Sequence, residues 1–186
     1  VISQQEGLDA AGYYQAAYAI SGSLPGFVFS AMGADFFPRV SATKNEEEAD
    51  DITDKQIMAA LLLGVPLIAV LMAAGHLAVS LLYSDKFIPS VGLLGWMTWG
   101  VFVRLFTWPL GFRLLAKGSP MSVVAIEASA CVVSILAPII LIPYLGLNGA
   151  GIGFLLGSVF YGAALLIATG YIRRVGTSTK VAACIF

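Results

Sequence analysis

Hydrophobic residues run along this chain in five long blocks separated by short polar punctuation. The blocks cover roughly residues 12–37, 56–83, 91–116, 120–143 and 148–172. Each is uniformly apolar and exceeds the ~20 residues that cross a hydrocarbon core of about 30 Å at 1.5 Å rise per residue. Strands of a membrane barrel would be about ten residues long and would alternate in polarity. The pattern therefore predicts an all-α, polytopic transmembrane bundle of about five helices, with residues 1–174 as the bundle and 175–186 as a tail.

The punctuation predicts how these helices connect. Residues 38–55, which hold Lys44, Glu46, Glu47, Glu48, Asp50 and Asp51, read as a solvated polar loop. Residues 84–90, 117–120 and 143–148 read as tight connections rich in Pro, Gly, Ser and Asn. Pro120 suits the first turn of the helix it precedes. Connections this short make sequential helices antiparallel neighbours.

Composition supports the membrane reading. The chain of 186 residues is 59% hydrophobic and 11% charged, whereas a soluble domain carries about 25% charged residues. So little charge could not cover a soluble fold of this size; lipid removes that need. A net charge of −1 offers no basic stripe for nucleic acid. Cys131 and Cys184 lack metal-site spacing and read as a buried thiol and a tail thiol. The chain starts at Val1 with no basic n-region and short apolar core, so it carries no visible signal peptide and reads as a piece of a longer protein.

Basic residues set an orientation. With alternating helices, Arg39, Lys44, Lys55, Arg113, Lys117, Arg173, Arg174 and Lys180 fall on one side and only Lys86 on the other. The positive-inside tendency makes the first side cytoplasmic, with the tail 175–186 there and Val1 outside.

Of the ten basic residues Arg104 lies deepest within a block, about nine residues and so roughly 13 Å from Arg113 at the cytoplasmic end. A cation at that depth normally faces the bundle interior or a wet cavity and has a partner. Either it lines the path of an anionic substrate, or it serves an internal salt bridge or snorkels to the surface. Glu127 is the expected partner, by direct pairing or as a neutral proton carrier. Gln15 and Tyr18 could meet sugar hydroxyls from a cavity, or belong to an interfacial aromatic belt. Asp35 and Arg39 are spaced i, i+4 at a helix end, as an anchor or as part of a cytoplasmic gate. His76 is the only histidine, so no histidine-based metal cluster forms, and it reads as an interfacial or core residue. Gly149, Gly153 and Gly157 recur every four residues and predict a close helix–helix seam. Breaks at Pro25, Pro66, Pro109 and Pro138 suit helices that bend. Neither a phosphate-binding Gly-rich loop nor a nucleophile–base arrangement is visible. We therefore expect neither an enzyme nor a cofactor or metal.

Longer strings carry a family resemblance. Gly12-Tyr13-Tyr14-Gln15-Ala16-Ala17-Tyr18-Ala19-Ile20-Ser21 and Met32-Gly33-Ala34-Asp35-Phe36-Phe37-Pro38-Arg39-Val40-Ser41 resemble the O-antigen translocases. These are polysaccharide flippases of the multidrug/oligosaccharidyl-lipid/polysaccharide exporter superfamily. Trp108-Pro109-Leu110-Gly111-Phe112, Leu115-Ala116-Lys117-Gly118 and Gly146-Leu147-Asn148-Gly149-Ala150-Gly151-Ile152 are similar to the same family. The resemblance implies a transporter of about twelve helices in two lobes around a cavity, working by alternating access. The five helices here would then be the eighth to the twelfth. The implied task is to move undecaprenyl-pyrophosphate-linked O-antigen units across the bacterial inner membrane, in lipopolysaccharide biosynthesis. The implied partners are membrane lipid, the lipid-linked oligosaccharide, a polysaccharide polymerase and a chain-length regulator. Arg104 would neutralise the pyrophosphate. The rival readings are a multidrug or peptidoglycan-precursor exporter of the same superfamily, and a membrane enzyme of the O-antigen polymerase type.

Overall fold

Helix-forming apolar runs need one face to bury and another to leave in lipid, and helix α2 shows this division most clearly. In the computed structural model, which describes residues 2, 6–118 and 120–171, α2 spans Glu46–Leu82. Its buried residues are Ala49, Thr53, Ile57, Ala60, Gly64, Ile68, Leu71, Gly75 and Val79. Steps of three and four residues place all nine on one stripe along the whole helix. Met58, Leu62, Leu63, Val70, Leu77, Leu81 and Leu82 point outward and are exposed, as befits side chains facing acyl chains rather than water.

The other long helices are α1 (Leu8–Ala42), α3 (Ser90–Lys117), α4 (Pro120–Leu145) and α5 (Asn148–Ala168). A short 3-10 turn at Asp85–Phe87 joins α2 to α3. Gly146 ends α4 in the left-handed region at φ +55°, with its N–H bonded to the Ile142 carbonyl at 2.8 Å. Helix α3 is the hub: α1 and α2 pack on it and on each other, α5 packs against its far side, and α4 packs on α5. Helices α1 and α4 thereby flank a groove whose floor is made by α3 and α5.

Helices α2, α3, α4 and α5 are each long and apolar enough to cross a membrane. The protein is thus a multi-pass, all-helical membrane protein. The remaining predicted block, α1, also forms one long helix, but a more polar one. That helix has 35 residues, but Tyr13, Tyr14, Gln15, Tyr18, Ser21 and Ser23 dilute its apolar character. Several of these residues line the groove, which explains why α1 is the more polar helix.

The expected loop at 38–55 is also corrected. Only residues 43–45 connect α1 to α2, and the acidic run forms the first turns of α2. Asn45 caps that helix, its side-chain oxygen accepting from the Glu47 N–H at 3.0 Å. Glu46, Glu47 and Glu48 lie in the first turn, at the positive end of the helix dipole. Lys55 pairs with Asp51 at 2.6 Å, and Ala49 and Thr53 continue the buried stripe. A helix of 37 residues is about 55 Å long, well beyond a hydrocarbon core of about 30 Å. Its charged start therefore stands outside the lipid.

Two smaller corrections concern α4, which continues through Pro143 to Leu145 and buries only Ala130 and Ile142. Cys131 is therefore exposed rather than a buried thiol, because only one face of α4 meets a neighbour. His76 is exposed near the far end of α2, consistent with an interfacial position. Ser119, Arg173, Arg174, Lys180, Cys184 and the tail 175–186 lie outside the described residues.

Candidate functional site: a groove between the first and fourth helices

Glycine spacing lets aromatic residues of α5 lie down on α3. A side chain at Gly100 would come within 2.7 Å of the Phe154 ring, and one at Gly111 within 3.0 Å of the Tyr161 hydroxyl. Between these two contacts sits Arg104. Its guanidinium carbon is 5.4 Å from the Phe154 ring centre and 5.8 Å from that of Tyr161. Its Nε donates to the Ser158 hydroxyl at 3.3 Å. Ser158 is completely buried and in turn donates to the Phe154 carbonyl at 2.9 Å, which presents a lone pair to Arg104. Residues 154, 158 and 161 share one face of α5, so a single helix face seats the cation.

That seat leaves the outer part of the guanidinium uncommitted. Among the described residues, Arg104 makes one hydrogen bond, through Nε, and no ion pair. Its side chain is exposed to the groove. It lines a cavity of about 350 Å³ together with Phe29, Trp108, Phe112, Glu127 and Tyr161. Two aromatic faces stabilise the cation by roughly 0.5–2 kcal/mol each without neutralising it.

The expected direct pair of Arg104 with Glu127 is not formed. Tyr161 stands between them: its ring faces Arg104, and its hydroxyl and the Glu127 carboxylate face each other as donor and acceptor. Both charged residues nevertheless line the same cavity, as do none of the other acidic or basic residues described.

Tyr18 and Gln15 lie farther along the same groove. The Tyr18 ring meets Phe154 edge-on at 6.1 Å and stacks on Tyr14 at 6.2 Å. Gln15 lines a second cavity of about 360 Å³ with Tyr14, Ser134 and Pro138. The structure thus gathers Gln15, Tyr18, Arg104 and Glu127 along one groove. It leaves Asp35 and Arg39 outside both cavities, paired at 3.0 Å on an exposed surface.

Sequence reading did not single out Phe154, Ser158, Tyr161 or Trp108 at this site. The available signal was the 154-158-161 spacing, which places two polar-capable residues and an aromatic on one face of an otherwise apolar helix. From sequence Arg113 is only a topology marker. It pairs with Glu46 at 3.1 Å and contacts Asp50, and only 15% of its side chain is exposed. Lys117 donates to the Thr43 carbonyl. These contacts tie the end of α3 to the turn between α1 and α2. They also gather Arg39, Lys44, Lys55, Arg113 and Lys117 at one end of the bundle, opposite Lys86.

The expected glycine seam is present. Side chains at Gly149, Gly153 and Gly157 would collide with the Leu141–Ile142 backbone, with Pro138 and with Ser134, all on α4.

Residues 1–92 match the model of a protein family described as polysaccharide biosynthesis protein. The match spans α1 and α2 and the start of α3, and so includes Gln15 and Tyr18 but not Arg104 or Glu127. No curated protein and no solved structure matches the chain. The family match and the four apolar spans together support a membrane protein with a role in polysaccharide biosynthesis or transport.

Proposed function

We propose that this chain is part of a flippase that carries undecaprenyl-pyrophosphate-linked O-antigen oligosaccharide across the bacterial inner membrane. The observation that carries this reading is Arg104. It is seated on two aromatic rings within a membrane-spanning groove, with the outer part of its guanidinium available to a ligand. A pyrophosphate must cross a low-dielectric layer, and a guanidinium offers it paired, charge-assisted hydrogen bonds. The groove is open along one side, as expected for one wall of a cavity that a second lobe would complete and expose alternately to each face. The match to a polysaccharide-biosynthesis family supports a glycan-bearing substrate. Nothing in this mechanism requires a bond to be made or broken, so the chain acts as a transporter and not as an enzyme.

The test uses the full-length parent protein in a bacterium that lacks its own O-antigen translocase and is supplied with the matching sugar-assembly genes. The wild-type protein should restore the lipopolysaccharide ladder. Arg104→Gln should lower it at least tenfold, with membrane insertion unchanged and lipid-linked glycan accumulating. An intact ladder with Arg104→Gln would remove Arg104 from the mechanism. No ladder from the wild-type protein, with protein and substrate both present, would favour export of a drug or a cell-wall precursor.

A further inference from the structure

The groove between α1 and α4 holds two cavities whose linings differ in kind. The cavity nearer the basic end holds both charged groups, Arg104 and Glu127. The other, lined by Tyr14, Gln15, Ser134, Ile135 and Pro138, has no charged residue in its described lining. On α4, Ser134 lies two turns beyond Glu127, about 10 Å farther from the basic end. An aromatic shelf joins the two: Tyr14 stacks on Tyr18, Tyr18 meets Phe154, and Phe154 faces Arg104.

The neutral cavity has its own chemistry. A phenol, a primary amide and an aliphatic hydroxyl can each donate and accept a hydrogen bond. An anion makes no use of the acceptor half of that set, whereas a polyhydroxylated neutral ring uses both halves. The Ser134 hydroxyl occupies the space opened by Gly157, where a side chain would collide with it. Tyr14 is held by its stack on Tyr18, and Gln15 is exposed into the groove.

We propose that this second cavity is a subsite for the neutral sugars of a glycosylated lipid pyrophosphate. The phosphates lie at Arg104, the first sugars cross Tyr18, and further sugars reach Gln15, Tyr14 and Ser134. The proposal rests on the flippase reading above and adds a direction to it: the glycan lies toward the end away from the basic residues.

Two probes test this on the full-length protein in lipid nanodiscs. One is a short-chain polyprenyl pyrophosphate; the other is the same lipid carrying a neutral disaccharide. Gln15→Leu combined with Ser134→Ala removes the amide and the aliphatic hydroxyl, two of the three polar groups, without adding bulk at the seam. It should weaken binding of the glycosylated probe at least tenfold and leave the bare pyrophosphate within twofold. Arg104→Gln should weaken both. If the double variant binds the glycosylated probe normally while Arg104→Gln weakens both, the glycan subsite is wrong and the anion site stands. If the double variant weakens both probes equally, the groove is not divided and the proposal falls. If Arg104→Gln binds both probes normally, the underlying reading fails and takes the subsite with it.

Discussion

The two sides of this bundle are held together by different forces. On one side, α1, α2 and α3 share buried apolar stripes and are fastened at their charged ends by Arg113 and Lys117. On the other, α4 meets the rest of the described structure almost entirely through α5. Its seam is made of Gly149, Gly153 and Gly157 against Leu141, Pro138 and Ser134. The fasteners lie at the charged helix ends, beyond the lipid, where water solvates the rims of ion pairs. Within the lipid, apolar surface gains nothing by leaving acyl chains, so helices associate by close fit. The groove lies between the two sides, with α1 from the fastened side and α4 from the fitted side.

Breaking the seam should have the largest effect. Gly153→Val places branched carbon against the rigid Pro138 ring, where even a Cβ would lie 2.5 Å from Cγ and 2.9 Å from the backbone nitrogen. Neither ring nor backbone can rotate away, so α4 must shift. Overpacking of this kind costs about 1–3 kcal/mol. The variant should lose transport and its melting temperature in detergent should fall. Val132→Ala, on the exposed face of α4, should change neither. Equal behaviour of the two variants would show that the seam does not hold α4.

The seam and the helix count were legible in the sequence, because both are periodic within one segment. Gly149, Gly153 and Gly157 announce a close contact by spacing alone, and Pro120 and Gly146 mark the ends of α4. The groove was legible only in part. Arg104 and Glu127 stood out as charges in apolar runs, but Tyr161 between them did not, since its role depends on which faces of α3, α4 and α5 meet. The misreading of residues 38–55 has a different origin. Charge density reads as a loop, although Asn45 followed by three glutamates is an N-terminal helix signal. The stripe of Ala49, Thr53 and Ile57 shows why those turns persist: they still have a neighbour to bury against.

Loosening the fastened side should have an intermediate effect. Arg113→Met keeps the aliphatic stem and removes the charge that meets Glu46 and Asp50. Because only 15% of the Arg113 side chain is exposed, its charge-assisted bonds are worth about 1–3 kcal/mol together. The melting temperature should fall by roughly 2–8 °C, and Arg113→Lys should recover part of the loss. The wild-type melting temperature should also drop with added salt, more weakly than for surface pairs because the site is half-shielded. A melting temperature unchanged in Arg113→Met would mean that the buried stripes alone hold this side.

The exposed pair Asp35–Arg39 sharpens the contrast at its lower limit. It has good geometry at 3.0 Å and the favourable i, i+4 spacing, yet its side chains are 57% and 70% exposed. Pairs of this kind contribute about 0.3–0.5 kcal/mol, and the pair lies outside both cavities. Asp35→Asn should therefore leave the melting temperature within about 2 °C and leave binding of the bare pyrophosphate lipid unchanged. If Asp35→Asn instead lowers transport with stability intact, the pair serves the moving cytoplasmic mouth of the complete protein. The effect would then vanish in the double variant Asp35→Asn with Arg39→Gln, since removing both partners leaves no charge to misplace. Measuring the two variants side by side separates an anchor, for which neither changes transport, from a gate, for which only the single variant does.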